Sequence, residues 1–464
     1  MDDLDFSSVL EDLRRRLKPY EGSGKVFSTL PEEGVDREDI FRLLKSYTET
    51  ENDSWRKGMV SGAVYHGGED LIKFFEEIYR LYSQTNPLHP DVWPSLTKFT
   101  NEIVAMCAGI MNGDDGVRGS VTSGGTESIL LAIKTYRDYY KSKKGVSDPE
   151  VIIPISAHAA FLKACDYFCL KPVLVELDDN FQVDVEKVKE AVTHNTVAIV
   201  GSAPSFPHGI VDPIKELSEV AADRGVGMHV DACLGGFILP WAKKLGYKIP
   251  EFDFSLAGVT SISMDTHKYG FAPKGTSVVL YRNSELFDQQ LYVTGSWQGG
   301  IYFTPTMAGS RPGYPIVAAW AVMLAMGEKG YMEAARRILE VGGYLKAGIK
   351  GIPGMRVLGD PLWVIAMSTG DARIYSVLDM MGKRGWVLNG LMNPPAFHIA
   401  LTMRHTLPGV KEKFLEDLKT SVEEAAKVRG SGVGMAPVYG MASALPEDQV
   451  NYFLKNIVEW LYSL

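Results

Sequence analysis

From about residue 58 to 310, short apolar runs alternate with longer amphipathic stretches. Val151–Ile155, Pro172–Leu177, Val197–Gly201, Gly227–Val230 and Ser277–Tyr281 have the length and Val/Ile/Leu content of buried strands. Between them, Asp184–Ala191 and Asp212–Ala222 have helical spacing, the second with an acid at its start and Gly225 beyond its end. This alternation predicts an α/β fold with a mostly parallel sheet covered by helices on both faces. A long helix from about Ile316, introduced by Pro312 and Gly313, leads into a smaller α+β region. Its expected strands are Met355–Val357, Trp363–Met367 and Ala396–Met403; its expected helices are Asp371–Lys383, Lys411–Val428 and Glu447–Tyr462. Residues 1–57 read as polar and helical, for example over Ser8–Leu17 and Arg37–Thr48. The expected division is a helical arm (1–57), a large domain (58–315) and a small domain with its linking helix (316–464).

Four short motifs carry chemistry. Thr122-Ser123-Gly124-Gly125-Thr126-Glu127 leads directly into the helix-forming Ile129–Lys134. A Gly-Gly turn at a helix start presents backbone N–H groups and a partial positive charge, which suits a phosphate, and the Ser123 and Thr126 hydroxyls can donate. Taken alone, the motif also fits a helix cap with a capping-box Glu127. His158 sits at a strand-to-helix switch, where it can lie flat on a ring or simply pack. Asp231 ends a strand, where side chains face the ligand crevice of α/β proteins; its other reading is a helix N-cap. Thr266-His267-Lys268-Tyr269-Gly270 is the arrangement of a lysine that carries pyridoxal phosphate as a Schiff base, with Asp231 pairing with the pyridine nitrogen. Cationic neighbours in a confined site are expected to lower the Lys268 pKa and make it nucleophilic.

In this order the motifs resemble the group II pyridoxal-phosphate-dependent decarboxylases of fold type I and, within them, the sphingosine-1-phosphate lyases. The resemblance runs from about Gly58 to the C-terminus. It includes Tyr65, Asn86–Asp91, Gly201–Gly209, Trp297–Tyr302, Ala308–Gly313 and Val438–Ala442, the last three of these segments being lyase-like. It implies the fold type I transferase fold with a seven-stranded sheet, and pyridoxal phosphate held by Ser123, Gly124, Gly125, Thr126, His158, Asp231, His267 and Lys268. It also implies a homodimer in which Gly309 and Ser310 reach the cofactor phosphate of the other subunit. Tyr65, Asn86, His89, Lys274 and Tyr439 are implied as the grip on a substrate phosphate. The activity implied is retro-aldol cleavage of sphingosine 1-phosphate, or a similar phosphorylated long-chain base, to a long-chain aldehyde and phosphoethanolamine. Either Lys268 or the substrate's own phosphate would be the base. The alternative is an amino-acid decarboxylase of the same family; a non-catalytic cofactor-binding protein is a third reading, disfavoured by the complete motif set.

Charge and cysteines narrow the setting. A net charge of −9 disfavours a nucleic-acid partner, so any bound anion needs a local pocket. The four cysteines show no zinc-ligand spacing, so no metal is expected and a reducing, cytoplasmic setting follows. Eukaryotic members of the resembled family begin with a lumenal segment and a membrane anchor, which this sequence is expected to lack. Its longest apolar stretch, Tyr314 to Met326, is too short to span a bilayer.

Overall fold

The computed structural model describes residues 26–51, 53–427 and 446–463, together with 11, 14, 15 and 17–21. The expected helix Ser8–Leu17 lies largely outside these residues, and the segment carrying Tyr439 lies wholly outside them.

The central sheet has seven strands: β1 (Arg118–Thr122), β2 (Glu150–Pro154), β3 (Lys171–Val175), β4 (Thr196–Ser202), β5 (Gly227–Asp231), β6 (Ser261–Met264) and β7 (Ser277–Tyr281). Their spatial order is β1-β7-β6-β5-β4-β2-β3. Neighbours from β6 through β3 run parallel, while β7 is antiparallel to both β1 and β6. Strands β2, β4, β5, β6 and β7 are buried along their whole length, which explains the apolar runs of β2, β4 and β7, while β5 and β6 carry buried polar side chains. The helices Glu69–Tyr82 and Pro94–Ile110 are additional to those expected. The first is marked by Leu71, Phe74, Phe75 and Ile78 at helical spacing behind Glu69 and Asp70.

The linking helix runs from Tyr314 to Lys350 and is broken at Gly327, whose φ of 54° and ψ of −178° interrupt the helical ladder. Beyond it, Arg356–Val357, Val364–Ser368, Asn389–Leu391 and Ala396–Ala400 form a second, antiparallel sheet. The strand expected to reach Met403 stops at Ala400, because the Thr402 hydroxyl accepts from Arg404 N and starts a 3₁₀ turn over Met403–Thr406. Asp212 likewise does not cap its helix, which begins at Ile214. Its buried carboxylate instead accepts from Ser202 N at 2.8 Å and Val183 N at 3.0 Å, tying the end of β4 to a neighbouring loop.

The loop after β4 joins the two sheets. Gly209 has φ +69° and lies so close to the small sheet that a Cβ there would stand 2.0 Å from the Val364 carbonyl oxygen. A side chain at Gly209 would meet both left-handed backbone strain and a backbone collision. Gly209→Ala is therefore expected to cost about 2–5 kcal/mol and lower the melting temperature. Gly343→Ala, in the linking helix with nothing within 4 Å of the new methyl, should be neutral or stabilising. Calorimetry of the two variants checks this; equal melting temperatures would refute the packing argument.

Candidate active site

The carboxyl ends of β5 and β6 and the start of the helix Gly125–Lys144 close around a pocket of about 430 Å³. Ser123, Gly124, Gly125, Thr126, His158, Asp231, His267, Lys268 and Lys274 all line it. Gly124 is the N-cap of this cradle helix and makes no side-chain cap hydrogen bond. Glu127 reaches back past the N-cap to accept from Ser123 N at 2.6 Å, one residue before the N–H a capping box would use, and also accepts from Met307 N at 2.7 Å. One carboxylate thus fixes the cradle turn and the segment leading to Gly309. A Cβ on Gly125 would lie 2.8 Å from Asp265 Oδ2 and 3.0 Å from Cys233 Sγ, so only glycine lets the helix start approach so closely.

Asp231 Oδ1 accepts from Cys233 N at 3.0 Å and from Ser263 Oγ at 3.3 Å. His158 Nδ1 accepts from Ala160 N at 3.1 Å, which fixes its ring, and Phe206 stands edge-on to it with centroids 6.2 Å apart. His267 Nδ1 lies 2.5 Å from the Thr276 carbonyl oxygen. The turn carrying Lys268 is pinned on both sides: Tyr269 Oη donates to Leu401 O at 2.7 Å, and Tyr331 Oη donates to Gly270 O at 2.8 Å.

The charge state of Lys268 differs from the expectation. Its Nζ lies 3.0 Å from Oδ2 of Asp265, a residue the motif reading passed over. Burial alone would lower the lysine pKa, but Asp265 in the first place, then Cys233 and Tyr65, outweigh it and the pKa is raised. Asp265 is 1% exposed. Burial opposes its charge, yet Lys268 and then His267 hold its pKa below the usual carboxylate value. Cationic neighbours therefore do not activate Lys268 in the free side chain; a carboxylate keeps it an ammonium. An acid three residues before the lysine, within one tight turn, is the signal that marks the pair in the sequence.

Lys274 is the opposite case. Burial, then repulsion from Lys268, lower its pKa to about 8. Its ammonium stands 4.6 Å from the centre of the Tyr65 ring. Tyr65 itself is pushed up to about 12, by burial first. Lys274 is shared between the main pocket and a smaller cavity that Tyr65 lines.

Asn86, His89, Gly309 and Ser310 do not line the Lys268 pocket in the same chain. Asn86 Nδ2 donates to Ser310 Oγ at 3.2 Å, and Asn86 Oδ1 accepts from Arg311 N at 3.3 Å. Gly309 passes under Tyr302, whose hydroxyl would be 2.5 Å from a Cβ. His89 lies edge-on to Trp93, with ring centroids 6.3 Å apart.

A phosphate cradle at a helix start, an acid at a strand end and a half-buried lysine on the facing turn suit an aromatic aldehyde bearing a phosphate. The fold and pocket are those of a pyridoxal-phosphate enzyme of fold type I. The family model for the pyridoxal-dependent decarboxylase conserved domain matches residues 31–358. The chain is 42% identical to a sphingosine-1-phosphate lyase of Dictyostelium discoideum over 93% of its own length and 82% of that protein's. It is similar to the solved structure of a sphingosine-1-phosphate lyase from Burkholderia pseudomallei, at 38% identity and a TM-score of 0.89, covering 96% of this chain and 99% of that one. A glutamate decarboxylase from Lactobacillus brevis shares the fold alone, at 20% identity and a TM-score of 0.76, over 88% of this chain and 97% of that one. The chain belongs to the pyridoxal-dependent decarboxylase family, in its sphingosine-1-phosphate lyase branch, and its cofactor is pyridoxal phosphate.

In cofactor-free protein, Lys268 should titrate above the exposed lysines, because Asp265 favours its charged form. Asp265→Asn should lower that midpoint by at least about one unit and raise labelling of Lys268 near pH 8 about tenfold. Competitive acetylation followed by peptide mass spectrometry measures both; a Lys268 midpoint at or below that of the exposed lysines would sink the assignment.

Proposed function

We propose that this chain cleaves a phosphorylated long-chain base, such as sphingosine 1-phosphate, into a long-chain aldehyde and phosphoethanolamine. The observation that supports this most directly is Lys274, a second cation held beside Tyr65 at the edge of the cofactor pocket. A decarboxylase has to grip only a carboxylate near the ring, whereas a phosphorylated base also carries a dianion further out. Bound pyridoxal phosphate supplies an electron sink for the carbon bearing the substrate amine.

The residues divide the work as follows. The N–H groups of the cradle and the Ser123 and Thr126 hydroxyls hold the cofactor phosphate, with His267 beside them. Asp231 holds a proton at the pyridine nitrogen, His158 covers the ring, and Lys268 anchors the aldehyde carbon. Lys274 and Tyr65 bind the substrate phosphate, joined by Tyr439, which lies outside the described residues. Because Asp265 keeps free Lys268 protonated, Lys268 is suited to give a proton to carbon. The substrate's phosphate is then the better candidate to take the proton from the hydroxyl whose carbon leaves as aldehyde.

The Lys274 pKa gives the expected pH dependence its sign. Below about 8 the side chain is an ammonium and attracts the dianion; above it the charge is lost. For a phosphorylated long-chain base, kcat/KM should fall as pH rises through about 8, and Lys274→Ala should lack that limb. A charge-assisted contact of about 1.5–3 kcal/mol predicts a roughly ten- to two-hundredfold drop in kcat/KM for the variant below that pH. Cofactor occupancy should be unchanged. Loss of cofactor in Lys274→Ala, or carbon dioxide from an amino acid as the main product, would overturn the reading.

We also propose that the working unit is a homodimer. Asn86, Gly309 and Ser310 form a group apart from the Lys268 pocket, as a contribution to a second subunit's site requires. The nearby hairpin exposes Tyr292, Val293, Trp297, Ile301 and Phe303, and the arm helix Arg37–Thr50 exposes Ile40, Phe41 and Leu44, apolar surfaces suited to a second copy. If sites are shared, mixing inactive Lys268→Ala with inactive Ser310→Asp should restore about a quarter of parental activity, since half the dimers then hold one intact site. No recovery on subunit exchange would rule out sharing. No helix among the described residues is long and apolar enough to cross a membrane. A cytoplasmic enzyme meeting its lipid at a membrane surface fits this reading.

A further inference from the structure

Beneath the pocket, five polar side chains stand in one unbroken series across the sheet. Tyr136 Oη, from the cradle helix, lies 2.6 Å from Ser261 Oγ, and Ser261 Oγ lies 2.7 Å from His229 Nδ1. His229 Nε2 lies 3.1 Å from Ser263 Oγ, which in turn donates to Asp231 Oδ1 at 3.3 Å. Tyr136, Ser261 and His229 are fully buried, as is Ser263. The register of the sheet builds the series: β5 and β6 pair His229 with Ser261 and Asp231 with Ser263, and residues two apart on a strand share a face. The sequence shows only His-x-Asp on one strand and Ser-x-Ser on another, spacings without a chemical signature until the two strands lie side by side.

The direction of every bond follows from the last one. A carboxylate can only accept. Ser263 spends its one proton on Asp231, so its oxygen must accept from His229, which places a hydrogen on Nε2. His229 is neutral, its pKa pushed down to about 4 by burial. Nδ1 is therefore bare and accepts from the Ser261 hydroxyl, whose oxygen accepts from Tyr136. The series is polarised toward Asp231 throughout, and neighbouring dipoles aligned this way reinforce one another. Both donors to Asp231, Cys233 N and Ser263 Oγ, fall on Oδ1, which leaves Oδ2 for a ligand.

We propose that His229 is a positioning residue, fixed as the Nε2–H tautomer, that orients Asp231 through Ser263 so that one carboxylate oxygen is presented to the cofactor's pyridine nitrogen. The presentation to that nitrogen rests on the role of Asp231 proposed above; the tautomer does not.

Nitrogen NMR of the cofactor-loaded full chain, with ¹⁵N-labelled histidine and His229→Gln to assign the resonance, tests the tautomer directly. His229 should show the neutral Nε2–H pattern. In Ser263→Ala, Nε2 loses its acceptor while Ser261 can still accept, so the resonance should switch to the Nδ1–H pattern. The same variant should lose about tenfold in kcat with KM little changed, because Asp231 loses a donor but the substrate grip is intact. A merely structural His229 would keep its tautomer when Ser263 is truncated. A charged or Nδ1–H His229 in the parent protein overturns the proposal whether or not the variant folds. The expected tautomer and switch without any effect on kcat would overturn the positioning role and leave the hydrogen-bond series standing.

Discussion

The ion pair between Lys268 and Asp265, 3.0 Å apart with the carboxylate almost wholly out of water, is the contact to which the rest of the site is fitted. Either charge left unpaired there would be expensive, since a buried ion loses its hydration without compensation. The pair therefore constrains its surroundings. Gly125 can have no side chain, because Asp265 occupies the space a Cβ would need. Tyr269 of the turn reaches out to Leu401, just past the small sheet, and Tyr331 of the linking helix bonds Gly270 O, so the lysine is held by parts of the chain far apart in sequence. The pair also sets a direction for the chemistry: a lysine held as an ammonium can give up a proton but is a poor base.

Two lysines a few residues apart thus have opposite electrostatic fates. Lys268 gains a carboxylate and stays charged. Lys274 faces the charge of Lys268 and the edge of an aromatic-lined cavity, and its charge is destabilised. A destabilised cation is well suited to an anionic ligand, because binding relieves repulsion already present in the free protein. In the proposed reading that ligand is the phosphate of the substrate, with the cofactor's own phosphate left to the cradle. The family fold is shared with amino-acid decarboxylases, so discrimination falls to such peripheral charges rather than to the sheet.

Polar groups inside the sheet complete the picture. Thr122, Ser128 and Ser277 form a string of hydroxyls at 2.7 and 2.8 Å that joins β1, the cradle helix and β7. The series from Tyr136 to Asp231 does the same under β5 and β6. Satisfied buried networks of this kind fix side-chain directions more sharply than apolar packing does, because each hydrogen bond is lost if its partner rotates. Asp231, at the end of the second series, is held by such bonds at one carboxylate oxygen.

The sequence by itself determined the alternation of strands and helices, the cradle, the strand-end acid and the lysine turn, because each depends on local chemistry: glycine freedom at a helix start, apolar periodicity, and the position of a polar residue where a strand ends. It also determined the resemblance that joined these motifs to one cofactor. Only the tertiary structure decided which residues keep company. Asp265 became the partner of Lys268 through the fold of a single turn, and Asn86 was tied to Ser310 across more than two hundred residues of chain. Asp212, read as the start of a helix, was drawn into a loop because buried backbone N–H groups needed an acceptor. His229 and the two serines acquired meaning only through strand register. Such pairings depend on distances between segments remote in sequence, and on the cost of leaving a buried polar group alone, neither of which a local pattern of residues encodes.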